Sequence, residues 1–117
     1  MKIRIKGNSL RYRLTKSDVN SLAGEGHIQE QTNFLEQPLT YAIKTSEGNT
    51  LTAEYTNNVI TLFIPAFMIT ELTNTDKVGF EEKGGPIYLL VEKDFTCLDN
   101  IDEDQSDNYP NPLLQKN

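Results

Sequence analysis

The chain has 117 residues, 37% of them apolar, so it is long enough for one domain with its own core. Its single cysteine excludes a disulfide scaffold. No stretch approaches the ~20 apolar residues that span a bilayer, and no apolar signal segment follows Met1, so we expect a cytoplasmic protein without a membrane partner. The net charge of −6 is uneven, because cations crowd residues 1–16 and acids crowd residues 94–117.

The chain begins with a predicted hairpin over residues 2–14. Apolar side chains alternate with polar and cationic ones on both sides of Gly7-Asn8, a pair that suits a two-residue turn with glycine first. This register gathers the apolar side chains on one face. The opposite face is predicted to be basic and is formed by Lys2, Arg4, Arg11 and Arg13.

A short helix, Ser17–Leu22, is predicted next. Thr15 followed by Asp18 matches the capping-box pattern, and the glycines at 24 and 26 suit the end of the helix. Two strands follow at about 27–34 and 39–44, the second marked by alternating apolar side chains.

The same order then recurs, with predicted strands at 51–55 and 59–64, a helix at 66–72, and strands at 78–82 and 87–92. A shift of 50 residues overlays most of the two halves, and a shift of 48 overlays their last strands. The pairs aligned in this way include Ile5 with Tyr55, Leu10 with Ile60, Ile28 with Val78, and Leu39 with Ile87.

The overlay predicts one domain, residues 1–98, made of two pseudo-repeats at about 1–46 and 49–94. An acidic, proline-containing tail, 99–117, would follow it. The fold class is mainly β (α+β), with both halves joined in one antiparallel sheet or small barrel. The predicted core comprises Ile3, Ile5, Leu10, Tyr12, Leu14, Leu51, Ala53, Ile60, Leu62, Ile64, Leu89 and Val91.

Two segments carry a resemblance that spans most of the chain. The start KIRIKGNSLR (2–11), and Phe95-x-Cys97-Leu98 followed by acids and Pro110-Asn111-Pro112, resemble a family of small bacterial proteins of unknown function. The resemblance implies no activity, and no functional residue is carried over from it.

A second resemblance concerns the middle of the chain. Val59-Ile60-Thr61 through Ile64-Pro65, a short helix, and Asp76-Lys77-Val78 resemble the swapped-hairpin module of AbrB-type transcription factors. It implies a fused pair of modules that imitates a dimer and binds DNA. The second half departs from that pattern, since Thr52, Glu54 and Thr61 stand where a cationic face would lie.

The basic hairpin face is the sharpest chemical signal. Like charges directly opposite each other destabilise a sheet unless an anion lies near them. The candidates are a phosphate group, an acidic partner or the chain's own tail, and the alternative is a solvated strand face. Nucleic acid is disfavoured because the net charge is negative and no aromatic side chain is interleaved with the cations.

The acidic tail is a weaker candidate for a metal site. Asp99, Asp102, Asp104 and Asp107 supply oxygen ligands of the kind that Ca²⁺ binds. Counted from Asp99, however, the sixth residue of an EF-hand loop would be Asp104 and the twelfth Pro110, so that motif fails. A solvated tail is the simpler interpretation.

A thiol nucleophile is the remaining chemical alternative. Cys97 and His27 are the only cysteine and histidine, and no family signature surrounds either. No phosphate-binding or dinucleotide loop is present, and no cofactor is predicted. We therefore expect a non-enzymatic binding protein that uses the basic hairpin face. The alternatives are a small enzyme or metal protein using Cys97, His27 or the tail, and an AbrB-like regulator; the partner and oligomeric state stay open.

Overall fold

The computed structural model describes residues 1–96 and 105–111. Its elements follow the predicted order, strand-strand-helix-strand-strand, in both halves. The first half contains β1 (Lys2–Lys6), β2 (Ser9–Leu14), α1 (Lys16–Glu25), β3 (His27–Asn33) and β4 (Pro38–Ser46). The second half contains β5 (Thr52–Thr56), β6 (Val59–Pro65), α2 (Ala66–Asn74), β7 (Gly79–Glu82) and β8 (Tyr88–Lys93).

The strands form two separate mixed sheets, which corrects the prediction of one antiparallel sheet or small barrel. The first sheet, sheet A, has the order β1-β2-β8-β7, and the second, sheet B, has the order β3-β4-β6-β5. Each hairpin is antiparallel, but the central pairs, β2 with β8 and β4 with β6, are parallel. Each sheet therefore takes one hairpin from each half, so the halves exchange hairpins.

The two halves repeat each other in register. β1 and β2 correspond to β5 and β6 with a shift of 50, and β4 corresponds to β8 with a shift of 48. The shift for β3 and β7 is 52, so Ile28 corresponds to Phe80 rather than to Val78 as predicted. The shift is larger for these strands because the connection between helix and strand is longer in the second half. It is Gly26 alone in the first half and residues 75–78 in the second.

The hairpin turns tie the exchanged hairpins together. Gly7 has a φ of 54°, the positive value expected for the first turn residue, and Asn57 and Asn58 both have positive φ. The amide of Asn8 donates to the Pro86 carbonyl at 2.7 Å, and the equivalent amide of Asn58 donates to the Gln37 side chain at 3.1 Å. Each turn thus binds the loop of the other half's second hairpin.

The predicted helix start is confirmed in atomic detail. The Thr15 hydroxyl accepts from the Asp18 backbone N–H, and the Asp18 carboxylate accepts from the Thr15 N–H at 2.9 Å. Gly26 ends α1 in the left-handed conformation, with a φ of 75°. None of the helices within the described part of the chain has the length and apolarity that crossing a membrane requires.

The inner faces of both sheets and one side of each helix share one core. Eight predicted core residues are buried, while Ile3, Ala53 and Ile60 are half-buried at its margin. The buried Tyr12 reaches across from sheet A and donates its hydroxyl to the Ile60 carbonyl at 3.1 Å. Burial raises the pKa of Tyr12 well above its ordinary value, so the hydroxyl stays a donor.

Ile5 is the exception among the predicted core residues, since 60% of it is exposed. It pairs with Leu10 as predicted, but it lies at the end of β1, where sheet B does not cover it.

Gly79 in β7 is closely packed against β8. A Cβ added at Gly79 would lie 2.7 Å from the Cβ of Glu92.

Candidate functional site

The basic hairpin face forms as predicted. Arg4 lies opposite Arg11, and Lys2 lies opposite Arg13, on the face of sheet A that is turned away from the core. Their side chains are half-exposed or exposed, so the face is open to solvent. The alternation of apolar and cationic residues was therefore sufficient to place all four side chains.

The counter-charge for this face comes from β8, which the sequence did not identify as the neighbour of β2. Glu92 lies beside Arg13 in the parallel register, and its Oε1 is 3.2 Å from the Arg11 Nε and 3.6 Å from the Arg13 Nε. The Lys2 Nζ is 3.3 Å from Oδ2 of the buried Asp94. Within residues 1–96 and 105–111, Arg4 makes no ion pair. The chain's own acids thus relieve the like-charge repulsion.

Of the four predicted metal ligands, only Asp107 falls in the described part of the chain. Asp99, Asp102 and Asp104, and also Cys97, lie outside it. No group of three or more His, Cys, Asp or Glu residues among those described is arranged to hold a metal ion. The metal site therefore stays a prediction.

Asp107 binds the amino end of α1. Its carbonyl accepts from the Lys16 N–H at 3.0 Å, and its Oδ1 accepts from the Ser17 N–H at 3.3 Å. Hydrogen bonds hold the pKa of the Asp107 carboxyl below its ordinary value. The bond from the Thr15 side chain has the largest effect, and the bonds from Ser17 have smaller ones. Here the aspartate satisfies helix N–H groups, a structural role.

The segment 105–111 also packs on the end of β8. The Tyr109 N–H donates to the Asp94 carbonyl at 2.9 Å, and the Thr96 N–H donates to the Tyr109 carbonyl at 2.8 Å. The Lys93 Nζ lies 4.8 Å above the Tyr109 ring. This part of the predicted tail therefore contacts the domain. His27 is the half-buried first residue of β3 and lies opposite Lys44 of β4.

An apolar cleft opens between the two sheets, at the end opposite the helices. It has a volume of ≈ 440 Å³, and we call it the axial cleft. Its walls are almost entirely apolar, and Glu54 is the one charged residue among the described residues that line it. The apolar lining is Ile5, Leu10, Leu39, Ala53, Tyr55, Ile60 and Ile87.

The lining of the axial cleft follows the internal repeat. Ile5 and Tyr55, Leu10 and Ile60, and Leu39 and Ile87 are equivalent positions of the two halves. A pseudo-two-fold axis relates the two halves of the chain. Equivalent residues of the two halves line one common space only where this axis passes, so the cleft lies on it. The overlay had paired these residues, but nothing in it showed that they meet.

A second depression, partly polar through Glu36, Gln37 and Asn58, continues from the axial cleft and shares Leu39 and Tyr55 with it. It is formed by the loop between β3 and β4, whose Phe34 is 62% exposed. Together the two depressions expose Ile5, Tyr55, Phe34 and Leu35 at one end of the molecule. Exposed apolar side chains grouped in this way are typical of interaction surfaces.

Comparison with known proteins gives a family but no activity. The model of a family of unknown function, DUF7009, matches residues 1–113, so the chain belongs to that family. This confirms the resemblance to a family of unknown function. No curated protein and no solved structure matches the chain, and the likeness to AbrB-type modules stays a prediction.

Proposed function

We propose that this member of the DUF7009 family is a non-enzymatic binding protein whose axial cleft receives apolar side chains of a partner polypeptide. The observation that carries the proposal is the exposure of Ile5 and Tyr55, 60% and 65%, across an apolar cleft of ≈ 440 Å³. Complete burial of a large apolar side chain is worth about 1.5–3 kcal/mol, so covering the exposed part of each of these two would contribute roughly 1–2 kcal/mol.

The shape of the cleft favours a polypeptide over a small molecule. A small-molecule site encloses most of its ligand, whereas the axial cleft opens widely and continues into the depression at Phe34 and Leu35. An extended apolar surface of this kind suits several side chains of one partner segment.

The charges at the rim select the partner further. Two charged residues line the depressions within residues 1–96 and 105–111, and both, Glu54 and Glu36, are acidic. The chain as a whole carries a net charge of −6. A partner segment with apolar side chains flanked by Lys or Arg would therefore be attracted, and an acidic one repelled.

The basic hairpin face is the weaker candidate for the binding surface. Three of its four cations already lie within ion-pair distance of Glu92 or Asp94, and a ligand anion would compete with these carboxylates. The face therefore needs no external anion to be stable. Binding of an acidic partner there stays an untested hypothesis.

Binding of Nile red, an uncharged apolar dye, tests the cleft directly. We expect its fluorescence to rise on addition of the protein, and we expect the double variant Ile5→Ser, Tyr55→Ser to weaken binding at least ~10-fold, the factor equivalent to 1.4 kcal/mol. The matched control is Phe67→Ser, which removes a side chain of similar exposure, 51%, from α2. If the control weakens binding as much as the double variant does, the cleft is not the site.

Two synthetic peptides then test the choice of partner. One alternates leucine with lysine and the other alternates leucine with glutamate. We expect the lysine peptide to bind more tightly, and its advantage to shrink with added salt or in Glu54→Gln. Equal affinity for the two peptides would contradict the role of the acidic rim, while dye binding would still report on the cleft itself.

A further inference from the structure

β3 is the least protected of the four sheet edges in the described part of the chain. It has seven residues, contains no proline, and pairs with β4 alone among the described strands. Every residue from Gln29 to Asn33 is exposed. Its one carboxylate, that of Glu30, is bound to the Met1 amino group at 2.8 Å. The free side of β3 is therefore long, polar and nearly uncharged.

The other three edges carry the features that prevent strand addition. β1 presents Lys2, Arg4 and Lys6, whose like charges would oppose one another in a self-pair. β7 has only four residues and ends in two glutamates. β5 is two residues shorter than β3 and has Glu54 at its centre. Short or charged edges resist pairing, so the contrast singles out β3.

The hydrogen-bonding direction of each β3 residue follows from the ladder with β4. The Thr45 N–H donates to the Gly26 carbonyl, so this cross-strand pair is a hydrogen-bonded one. Because hydrogen-bonded and non-bonded pairs alternate in an antiparallel ladder, Ile28, Glu30 and Thr32 turn their backbone groups toward β4. Gln29, Gln31 and Asn33 turn theirs toward the free edge.

We propose that β3 pairs with β3 of a second copy of this chain, antiparallel and centred on Gln31, which joins the two B sheets across a two-fold axis. In this register Gln31 exchanges backbone hydrogen bonds with Gln31 of the second copy. Gln29 exchanges them with Asn33 of the second copy, and the reverse pair does the same. All of these groups point outward, so the ladder with β4 is undisturbed.

The side chains of β3 suit this register on both faces. On the outer face, amides meet amides, and the Gln31 Nε2 already lies 2.6 Å from the Asn33 Oδ1 within one chain. On the inner face, Glu30 lies opposite Thr32 of the second copy, a pair without like charges. Centring the pair on Gln29 instead would place Asn33 opposite Glu25, which lies in α1 and not in a strand. The dimer is isologous, the common form of self-association.

Sedimentation velocity of the full chain tests the proposal. We expect the apparent mass to rise from 13.3 kDa toward twice that value as concentration increases. A range from about 1 μM to about 1 mM covers the affinities expected of a small interface. Gln31→Pro removes an outward N–H at an edge position where proline is tolerated, and should stay monomeric. A wild type that stays monomeric throughout, or a Gln31→Pro chain that dimerises equally, would overturn the proposal.

Charged variants test the register without altering the backbone. Gln31→Lys places two lysines opposite each other across the axis and should weaken the dimer, with recovery at high salt. In the register centred on Gln31, Gln29→Lys with Asn33→Glu creates attractive pairs and should dimerise at least as well as wild type. Gln29→Lys with Asn33→Lys creates repulsive pairs and should not. The same dimerisation by both double variants would reject this register.

Discussion

Cutting the chain between Gly48 and Asn49 tests the exchange of hairpins between the halves. This site lies in the exposed connection from β4 to β5, so the cut removes no strand or core residue. The fragments 1–48 and 49–117 would each carry two hairpins that do not pair with each other. Every parallel central pair would then join two different chains. We expect each fragment alone to be unfolded and a mixture to fold.

The affinity between the fragments can be estimated from the size of the domain. A stability of ~0.05 kcal/mol per residue over 117 residues is ~6 kcal/mol. In the intact chain, the short connection holds the two halves at an effective concentration of ~1 mM. Dividing this concentration by the folding equilibrium constant that corresponds to ~6 kcal/mol gives an expected Kd of some tens of nanomolar for the two fragments. The buried side chains are shared between the fragments, for example Tyr12 in one and Leu62 in the other. Neither fragment can therefore complete the core alone.

Far-UV circular dichroism of each fragment and of their mixture, followed by isothermal titration, measures this affinity. We expect strand signal only in the mixture, saturating at one to one. A fragment that pairs with a second copy of itself would also agree with exchange, since each sheet would again use two chains. A single fragment that is monomeric, folded and unfolds cooperatively would refute the topology.

Three further predictions test local features. Gly79→Ala should cost about 1–3 kcal/mol in urea unfolding because its Cβ would overlap β8, whereas Gly24→Ala, in open space on α1, should add about 0.5–1 kcal/mol. Tyr12→Phe should cost about 0.5–1.5 kcal/mol, since it removes the hydrogen bond from the Tyr12 hydroxyl to the Ile60 carbonyl. Asp107, whose pKa is lowered, should stabilise the protein above pH 3.8, and the stability difference from Asp107→Ala should vanish as pH falls through its folded pKa.

Features set by neighbouring residues could be predicted from the sequence. The Gly7-Asn8 turn, the register of Arg4 against Arg11, and the capping box at Thr15 all depend on residues within about a dozen positions. Alternation determines which face of a strand is buried, and a turn determines its hairpin partner. These rules were enough for the order of elements and for the repeat.

The pairing between hairpins could not be predicted in the same way. The ladder of β2 with β8 joins Leu10 to Leu89, residues far apart in sequence, and alternation does not specify which hairpin lies beside which. The same limit explains Ile5. Its spacing places it on the apolar face of β1, but whether the opposing sheet extends to the end of β1 depends on how the sheets cross. Ile5 therefore lines a cleft instead of the core.

The exchange of hairpins also changes the functional argument. Local sequence patterns do not show that β8 lies beside β2. Without this pairing, the cations of the basic hairpin face have no counter-charge, and an external anion is the expected ligand. In the structure, Glu92 lies beside Arg13 and supplies a counter-charge from within the chain, so the basic hairpin face does not require an external anion. The same exchange brings the turns of both halves to one end of the molecule. There Ile5 and Tyr55, which are equivalent by the repeat, are left exposed by the described part of the chain. Because the charged face is largely neutralised within the chain whereas the apolar side chains remain in water, we propose the axial cleft rather than the basic hairpin face as the binding site.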